Sequence, residues 1–396
     1  MRKDILKHAQ SYESKIANFL ADIISIKSLS GCERDVVKRI GDEMNLAGFD
    51  EVRVDGLGSI IGKIGNGKTI IAMDAHIDTV DAGNRDLWDF DPFRGFVKDQ
   101  KVWGRGAADQ KGGMASIVYA GKLIHDLGLE GDYTLLVTGT VMEEDCDGLC
   151  WQYLIKEEKI RPEVCVITEP TGLKIYRGQR GRMEMEITVR GLSAHGSAPE
   201  RGDNAIYKMA PIIQKIAALN ENLRYDRFLG QGTVVVSQIS SVGPSQCAVP
   251  DKCSVYLDRR LTAGETKDSA IDEIKKILGR EGELTVPVYN KPAYTSKTYP
   301  AEKYYPSWTI PENSRAVCAA VEACKEIFGD VPQIDKWTFS TNGVAICGMH
   351  GIPCVGFGPG FEEQAHAPNE WILVEHLSKA AAFYAAFPNI YLRSKT

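Results

Sequence analysis

Apolar residues along this chain follow two patterns, short continuous runs and a spacing of three to four positions. Continuous runs predict strands that are buried on both faces of a sheet. The strands predicted in this way are an amphipathic stretch around 51–64 and runs at 70–74, 133–141, 164–168 and 353–357. Helical spacing follows a Ser30-x-x-Glu33 capping box and recurs over 112–127, 314–328 and 370–387. This alternation predicts an α/β sheet with helices on both faces.

The pattern changes between residues 181 and 291, where half-exposed strands and two helices follow one another. The predicted order is strand 184–191, helix 204–220, strands 233–240 and 253–261, helix 266–278 and strand 285–289. This β-α-β-β-α-β order predicts a ferredoxin-like α+β domain, in which two helices cover a four-stranded antiparallel sheet. Because α/β character resumes afterwards, we expect residues 181–291 to be inserted into a larger domain formed by 1–180 and 292–396.

Composition limits the classes of partner. The 396 residues are 43% hydrophobic and 25% charged, which is typical of a globular protein long enough for two domains. The formal net charge of -6 and the lack of a basic run argue against a nucleic acid partner. No apolar run approaches the ~18 residues that cross a bilayer, and the charged first residues lack a signal-peptide core. We therefore expect a cytoplasmic protein with no membrane partner.

Residues of the metal-ligand type recur where the predicted strands end. They are His76 and Asp78 after strand 70–74, Glu143 and Glu144 after 133–141, Glu169 after 164–168, and His366 after 353–357. Asp109 lies in a glycine-rich loop just before helix 112–127. Because the carboxyl ends of parallel strands meet at one edge of a sheet, we expect these side chains to converge. Each alone would fit a turn or a solvated surface, so their repeated placement is the evidence for a site.

Such a set of side chains can hold two divalent metal ions and activate a water molecule for hydrolysis. The expected ligands are His76, Asp109, Glu144, Glu169 and His366. The two oxygens of Asp109 can bridge ions ~3.5–4 Å apart. Asp78 is expected to accept the second ring N–H of His76, and Glu143, which points away from its neighbour, is expected to be the general base. Zinc is the expected metal, and cobalt or manganese fit similar ligands.

The same residues stand in motifs that resemble those of the M20 zinc hydrolases. The motifs are His76-x-Asp78, Gly104-Arg105-Gly106-x-x-Asp109-x-Lys111-Gly112-Gly113, Glu143-Glu144, Glu169-Pro170 and His366. The family includes acetylornithine deacetylases, succinyl-diaminopimelate desuccinylases, aminoacylases and carboxypeptidase G-type enzymes. The chain is also similar to the subgroup labelled selenium-metabolism-linked hydrolases, a name that implies no substrate. The resemblance spans nearly the whole chain and implies a phosphorylase/hydrolase-like catalytic domain with the inserted domain.

The resemblance also implies how the metals are shared. One would be held by His76, Asp109 and Glu169, and the other by Asp109, Glu144 and His366. In the family, the small domain often forms a homodimer, and a histidine that matches His195 reaches the partner's active site as an oxyanion donor. The positions that match substrate-binding residues of the family are Asn204, Arg260 and Gly358.

Three sequence features bear on specificity. Glu169 matches the deacylase and carboxypeptidase-like members, whereas aminopeptidase-like members tend to have Asp there. The stretch Phe339-Ser340-Thr341-Asn342-Gly343 departs from the family, because many members carry Asp where this chain has Asn342. The arginines at the predicted domain junction either bind an anionic substrate end or brace the hinge, and they are Arg177, Arg180 and Arg182.

We therefore expect a dinuclear metal amidohydrolase that cleaves an amide of a small N-acyl amino acid or short peptide. An aminopeptidase-type dipeptidase is the alternative, and it would need an acid such as Asp145 or Asp147 to bind a free amine. A non-catalytic binding protein on the same scaffold is a third hypothesis. Its sequence mark would be a lost base or ligand, and none is lost here.

Overall fold

The computed structural model describes residues 2–394. The helices are α1 (Arg2–Ser11), α2 (Glu13–Ile24), α3 (Arg34–Ala47), α4 (Gly112–Asp126), α5 (Leu149–Lys156), α6 (Ala205–Asn220), α7 (Lys267–Leu278), α8 (Arg315–Phe328) and α9 (Val374–Arg393). Helix α3 buries one apolar face, which includes Val36, Val37, Ile40 and Met44, and it ends at Gly48, whose φ of 88° forms a left-handed C-cap.

The strands fall into one large sheet, one smaller sheet and several short ribbons. In chain order they are β1 (Glu51–Val54), β2 (Ile60–Ile64), β3 (Thr69–His76), β4 (Phe96–Lys98), β5 (Lys101–Trp103), β6 (Tyr133–Thr140), β7 (Val164–Ile167), β8 (Ile175–Gln179), β9 (Gly181–Arg190), β10 (Tyr225–Asp226), β11 (Gly230–Gln231), β12 (Thr233–Val242), β13 (Lys252–Leu261), β14 (Glu283–Thr285), β15 (Val288–Tyr289), β16 (Ala301–Glu302), β17 (Tyr304–Tyr305), β18 (Trp308–Thr309), β19 (Ile334–Trp337), β20 (Cys354–Gly356) and β21 (Trp371–Leu373).

The large sheet has the strand order β1-β2-β6-β3-β7-β20-β8-β18, and β19 pairs with β8. Its centre is parallel, since β3 pairs in parallel with β6 and β7, and β20 pairs in parallel with β7. The strands of this centre are buried over most of their length, as the continuous apolar runs predict. The carboxyl ends of β6, β3, β7 and β20 therefore lie at one edge of the sheet.

The smaller sheet has the order β12-β13-β9-β14 and is antiparallel throughout. With α6 and α7 it reproduces the predicted β-α-β-β-α-β arrangement of a ferredoxin-like unit. Its own apolar core includes Met185, Ile212, Leu257 and Ile274. A separate, larger core combines residues from before and after this unit. Among the described residues, no helix is long and apolar enough to cross a membrane.

Several local predictions are wrong. Glu33 does not cap α3 with its side chain, so the predicted capping box does not form. The last strand of the small sheet is β14, while Val288 and Tyr289 pair with β16 instead. Residues 371–373 form β21, which pairs with β5, and the following helix starts only at Val374. Helices α1 and α2 lie outside the sequence predictions, although α2 buries an amphipathic face.

Candidate metal centre

The carboxyl edge of the parallel strands carries a cavity of about 340 Å³. His76 is the last residue of β3, Glu144 follows β6, Glu169 follows β7, and His366 lies ten residues beyond β20. Asp109 comes from the glycine-rich turn before α4, and its peptide bond to Gln110 is cis. All five side chains line the same cavity, together with Glu143. The structure therefore brings together the predicted ligand set and the predicted base. Glu143 does not point away from Glu144 as expected, because residues 143–145 form a turn and not extended chain.

The two oxygens of Asp109 face two different imidazoles. His76 Nε2 lies 3.0 Å from Asp109 Oδ1, and His366 Nε2 lies 3.4 Å from Asp109 Oδ2. His76 Nε2 is also 3.5 Å from Glu169 Oε1, and His366 Nε2 is 2.9 Å from Glu144 Oε2. Asp109 thus stands between a pair formed by His76 and Glu169 and a pair formed by His366 and Glu144, as a bridging carboxylate would.

The electrostatics of the cluster favour a bound cation. Burial, reinforced by the charge of Asp109, raises the pKa of Glu169 well above its ordinary value. Burial also raises the pKa of Glu143. The charge of His76 lowers this pKa, and the charges of Asp147 and Glu169 raise it. Glu143 Oε1 and Glu169 Oε2 are buried without a hydrogen-bond partner among the described residues. Divalent cations bind carboxylate oxygens and imidazole nitrogens. Because these buried oxygens lack a partner and lie next to imidazoles, the residues fit such ions.

Asp78 lies directly behind this cluster and is fully buried. Its carboxylate Oδ1 is 3.5 Å from His76 Nδ1, and its carbonyl oxygen is 3.0 Å from the same nitrogen. Asp78 also accepts the backbone N–H groups of Glu143 at 3.2 Å and Glu144 at 3.1 Å. The side chain therefore contacts His76 as expected, and it additionally holds the turn that carries Glu143.

Glu370 is a residue of the site that the sequence predictions missed. Its fully buried carboxylate accepts the backbone N–H groups of Gly106, Ala108 and Asp109, and the Arg105 guanidinium lies 2.8 Å away. It therefore fixes the turn that presents Asp109. A signal was present, because Glu370 follows His366 by four residues. The predicted helix 370–387 begins at this residue, and an acid in the first turn of a helix is common.

The predicted substrate residues are divided between two places. Arg260 lines the cavity, opposite Arg182 in the register of β13 and β9. Asn204 lies outside it, where its side chain caps α6 by accepting from two backbone N–H groups. His195 is exposed and its Nδ1 accepts from the Ser197 N–H, again outside the cavity of its own chain. Within one chain, the structure does not bring His195 or Asn204 to the cluster.

Gly358 lies beneath the site and not in the cavity lining. A Cβ at this position would come within 1.9 Å of the Glu169 carbonyl oxygen, and the Gly358 N–H donates to Thr171 Oγ1 at 3.0 Å. Only glycine permits this close approach to the loop that carries Glu169.

Asn342, where the chain departs from the family pattern, is buried away from the cavity. Its Nδ2 donates to Asp74 Oδ2 at 2.8 Å, and its Oδ1 accepts the Gly148 N–H. Phe339 and Ser340 of the same stretch do line the cavity. The departure at Asn342 therefore changes the support of the site and not a wall of the pocket.

An α/β sheet that gathers carboxylates and imidazoles around a bridging aspartate, next to an inserted α+β unit, is the architecture of a hydrolase with a two-metal site. A model of peptidase family M20/M25/M40 matches residues 72–389. The chain therefore belongs to this family and is a hydrolase, and the resemblance seen in its motifs is confirmed.

Two relatives match this chain over different lengths. The uncharacterized protein YgeY of Escherichia coli strain K12 is 54% identical over 396 residues, which cover 99% of this chain and 98% of that one. A probable succinyl-diaminopimelate desuccinylase of Staphylococcus aureus strain MRSA252 is 32% identical over 224 residues, 53% of either chain.

Two solved structures show the same fold. Aminopeptidase PepT from Bacillus cereus ATCC 10987 superposes with a TM-score of 0.75 at 22% identity, covering 96% of this chain and 99% of that one. The Bacillus subtilis YXEP protein, a dinuclear metal-binding peptidase of the M20 family, gives a TM-score of 0.72 at 15% identity, with 97% and 99% covered. The expected catalytic domain with an inserted domain is thereby confirmed.

Proposed function

We propose that this protein is a two-metal amidohydrolase that cleaves an amide bond of a small N-acyl amino acid or short peptide. The observation that carries the proposal is the position of Glu143. Its side chain lines the cavity, with Oε2 4.0 Å from His76 Nε2 and Oε1 buried and unpartnered, beside a cluster in which Asp109 stands between two imidazoles. A carboxylate that is buried, unpaired and next to a cation site is suited to move a proton.

The proposed ligands are His76, Asp109 and Glu169 for one ion, and Asp109, Glu144 and His366 for the other. Two bound divalent ions, zinc or else cobalt or manganese, would acidify a water molecule and polarise the substrate carbonyl. Glu143 takes the proton of the attacking water and returns it to the leaving nitrogen. Asp78 holds His76 and the Glu143 backbone in place for that transfer.

The charges around the cavity support a substrate with a free carboxylate. Arg260 lines the cavity, and the neighbouring Arg180 has its pKa lowered by burial and by the positive charge of Arg260. Arg260 already donates to Asp258 Oδ2 at 2.8 Å, so a substrate carboxylate would share this guanidinium, and the adjacent positive charge of Arg180 favours such an anion. Asn204 lies outside the cavity of its own chain, so its proposed contact with substrate would require a second subunit or a movement of the inserted domain. Gly358 is proposed to shape the loop below Glu169.

The acids that could bind a free amine are already paired. Asp147 accepts from Arg182 at 2.8 Å, and Asp145 is 2.8 Å from Lys291. The second oxygen of Asp147, Oδ2, has no hydrogen-bond partner among the described residues, but a substrate ammonium group bound there would lie beside the positive charge of Arg182, which opposes it. We therefore favour N-blocked substrates over the peptides that an aminopeptidase takes.

We also propose a homodimer in which His195 of the partner subunit completes the site by donating to the developing oxyanion. The small domain leaves the long strand β12 at the edge of its sheet, with Val235 54% and Ile239 55% exposed. A second copy that pairs along this edge would cover both side chains.

The two separate apolar cores support the proposed division into a catalytic domain of residues 1–180 and 292–396 and an inserted domain of 181–291. A cytoplasmic location is proposed because the cysteines are free thiols, which a reducing compartment maintains.

The test is amine release from a panel of N-acetyl, N-succinyl and other N-acyl amino acids, with free and blocked dipeptides, after zinc or cobalt loading. We expect chelator-sensitive cleavage of N-blocked members. Glu143→Gln should bind metal and fold normally yet lose about 10²–10⁴-fold in kcat, whereas Glu281→Gln on the exposed surface should leave it unchanged. Cleavage of free dipeptides alone would instead indicate an aminopeptidase. Metal binding without any cleavage would indicate a binding protein.

A further inference from the structure

The segment from Ser28 to Glu33 runs along the chain that follows β3, behind the metal centre. Ser28 Oγ donates to the Ile77 carbonyl oxygen at 2.8 Å, and the Thr79 N–H donates to the Ser28 carbonyl oxygen at 2.9 Å. Ser30 Oγ donates to Asp78 Oδ2 at 2.6 Å. The segment is therefore attached to the residues that directly support His76 and the base.

Glu33 extends this attachment to the turn that carries the base. Its side chain is fully buried, and its Oε1 accepts the N–H groups of Gly31 at 2.9 Å and Met142 at 3.1 Å. Met142 immediately precedes Glu143 and has a φ of 62°, in the left-handed region. A residue with a large side chain is disfavoured there, so this conformation needs external support.

We propose that Glu33 is a positioning residue of the hydrolytic site: by binding the Met142 N–H it holds the left-handed turn that directs Glu143 into the cavity. Ser30 assists by holding Asp78, which binds the next two N–H groups, those of Glu143 and Glu144. Consecutive backbone N–H groups from 142 to 144 are thus all bound by these two acids. The inference deepens the proposed function and, in its kinetic part, rests on it.

A merely local role for Glu33 does not account for these contacts. Glu33 is the N-cap of α3, yet its carboxylate makes no capping hydrogen bond to that helix. It instead accepts the N–H of Met142, in a turn that lies 109 residues away in the sequence. Burial, and then the charge of Asp78, raise the pKa of Glu33 to about 8. At pH 7 the uncharged form of the Glu33 carboxyl group can therefore accept the Met142 N–H. Glutamine offers the same uncharged oxygen and is the conservative replacement.

The first test measures the turn itself and needs no substrate. Amide hydrogen exchange of a peptide spanning residues 141–145 is compared in the wild type, Glu33→Gln and Glu33→Met. Methionine fills a similar volume but offers no oxygen. We expect at least ~10-fold faster exchange in Glu33→Met, confined to this turn, and near wild-type protection in Glu33→Gln. Unchanged protection in Glu33→Met would overturn the inference, and so would loss of protection spread evenly over α3 and β6.

The second test uses backbone freedom as a rescue. In the Glu33→Met background, Met142→Gly removes the penalty for the left-handed conformation, whereas Met142→Ala removes the same packing but keeps that penalty. With the substrate found in the panel, Glu33→Met should lose ~10–100-fold in kcat with KM and Co²⁺ affinity within ~3-fold, because a misplaced base impairs turnover and not binding. The glycine variant should recover most of the loss, and the alanine variant should not.

The outcomes separate this inference from the proposed function. If the wild type cleaves no panel member but the exchange result holds, the proposed function fails and the support of the turn stands. If the wild type is active and Glu33→Met keeps its kcat, the positioning role fails and the proposed function stands. A lower kcat together with a higher KM, weaker Co²⁺ binding and a lower unfolding temperature, without rescue by Met142→Gly, would show that Glu33 is only a structural residue.

Discussion

The departure from the family pattern at Asn342 yields a quantitative prediction about a buried network. Asp74 lies in the middle of the large sheet, fully buried, two residues before His76. Its carboxylate accepts from Thr138 Oγ1 at 2.7 Å, Thr140 Oγ1 at 3.1 Å and Asn342 Nδ2 at 2.8 Å. Burial raises the pKa of Asp74, while these three donors lower it. Replacing Asn342 with Asp would remove one donor and place two carboxyl groups in contact.

Two carboxylates at this separation cannot both be ionised, so the folded Asn342→Asp protein must retain one proton. In the unfolded chain the new carboxyl group has its ordinary pKa of about 3.9, and each unit of difference corresponds to about 1.4 kcal/mol. With Asp74 ionised in the wild type, the loss of unfolding free energy is then about 5 kcal/mol at pH 7.5 and about 2 kcal/mol at pH 5.5. Since domains are stable by only about 5–15 kcal/mol, the variant should be marginal at pH 7.5 and recover in mild acid.

Urea denaturation at pH 5.5, 6.5 and 7.5 measures this slope directly. The exchanged pair Asp74→Asn/Asn342→Asp is the matched control, because it restores one amide and one carboxylate and should remove the pH dependence. A loss in Asn342→Asp that is equal at pH 5.5 and 7.5 would refute the reasoning. It would mean that Asp74 already holds a proton in the wild type and lets the new carboxyl group take the charge.

Three further predictions concern the support of the site and its charge. Burial raises the pKa of Glu370 to about 7, so its charge is tested at pH 8. At that pH Glu370→Gln should lower the unfolding free energy by about 3–5 kcal/mol, because it leaves the buried Arg105 without its counter-charge; urea denaturation checks this, and a loss under 1 kcal/mol would contradict it. Zn²⁺ or Co²⁺ should raise the unfolding temperature by relieving carboxylate repulsion, less so in His366→Ala; an equal rise in both proteins would argue against His366 as a ligand. Burial lowers the pKa of His376 to about 4, so between pH 6.5 and 4 only the unfolded chain binds the proton. The wild type should therefore lose stability as the pH falls through this range. His376→Asn should show a shallower loss, and an identical pH profile would contradict this.

The centre of the fold could be predicted because its physical signal is strong and local. Strands such as β3 and β6 are covered on both faces, so their sequences are continuously apolar and end at polar residues. The three-residue strands β4, β5 and β21 have no such signal, since each is too short to show a period. The helical spacing over 370–387 therefore includes residues 371–373, although Trp371 pairs with Trp103 of β5.

The residues of the candidate site also fall into those that the sequence predicts and those that it does not. The side chains at the ends of parallel strands converge because the topology forces them to one edge, which the sequence order alone indicates. Glu33 matched a four-residue capping motif, and a local motif carries no information about Met142, which the fold places beside it. His195 and Asn204 lie on the inserted unit, so their distance from the cluster depends on domain placement and assembly, which periodicity does not encode.

The position of the insertion also sets the order in which the site can form during synthesis. Most of the cluster, up to Glu169, is made before the inserted unit, and His366 is made after it. The ribosome needs roughly 10–40 s to add the ~200 residues between them at about 5–20 residues per second. For that time the nascent chain holds a group of carboxylates without its second imidazole or the clamp of Glu370. The growing protein can complete this candidate metal site only after His366 has been added, near the end of translation.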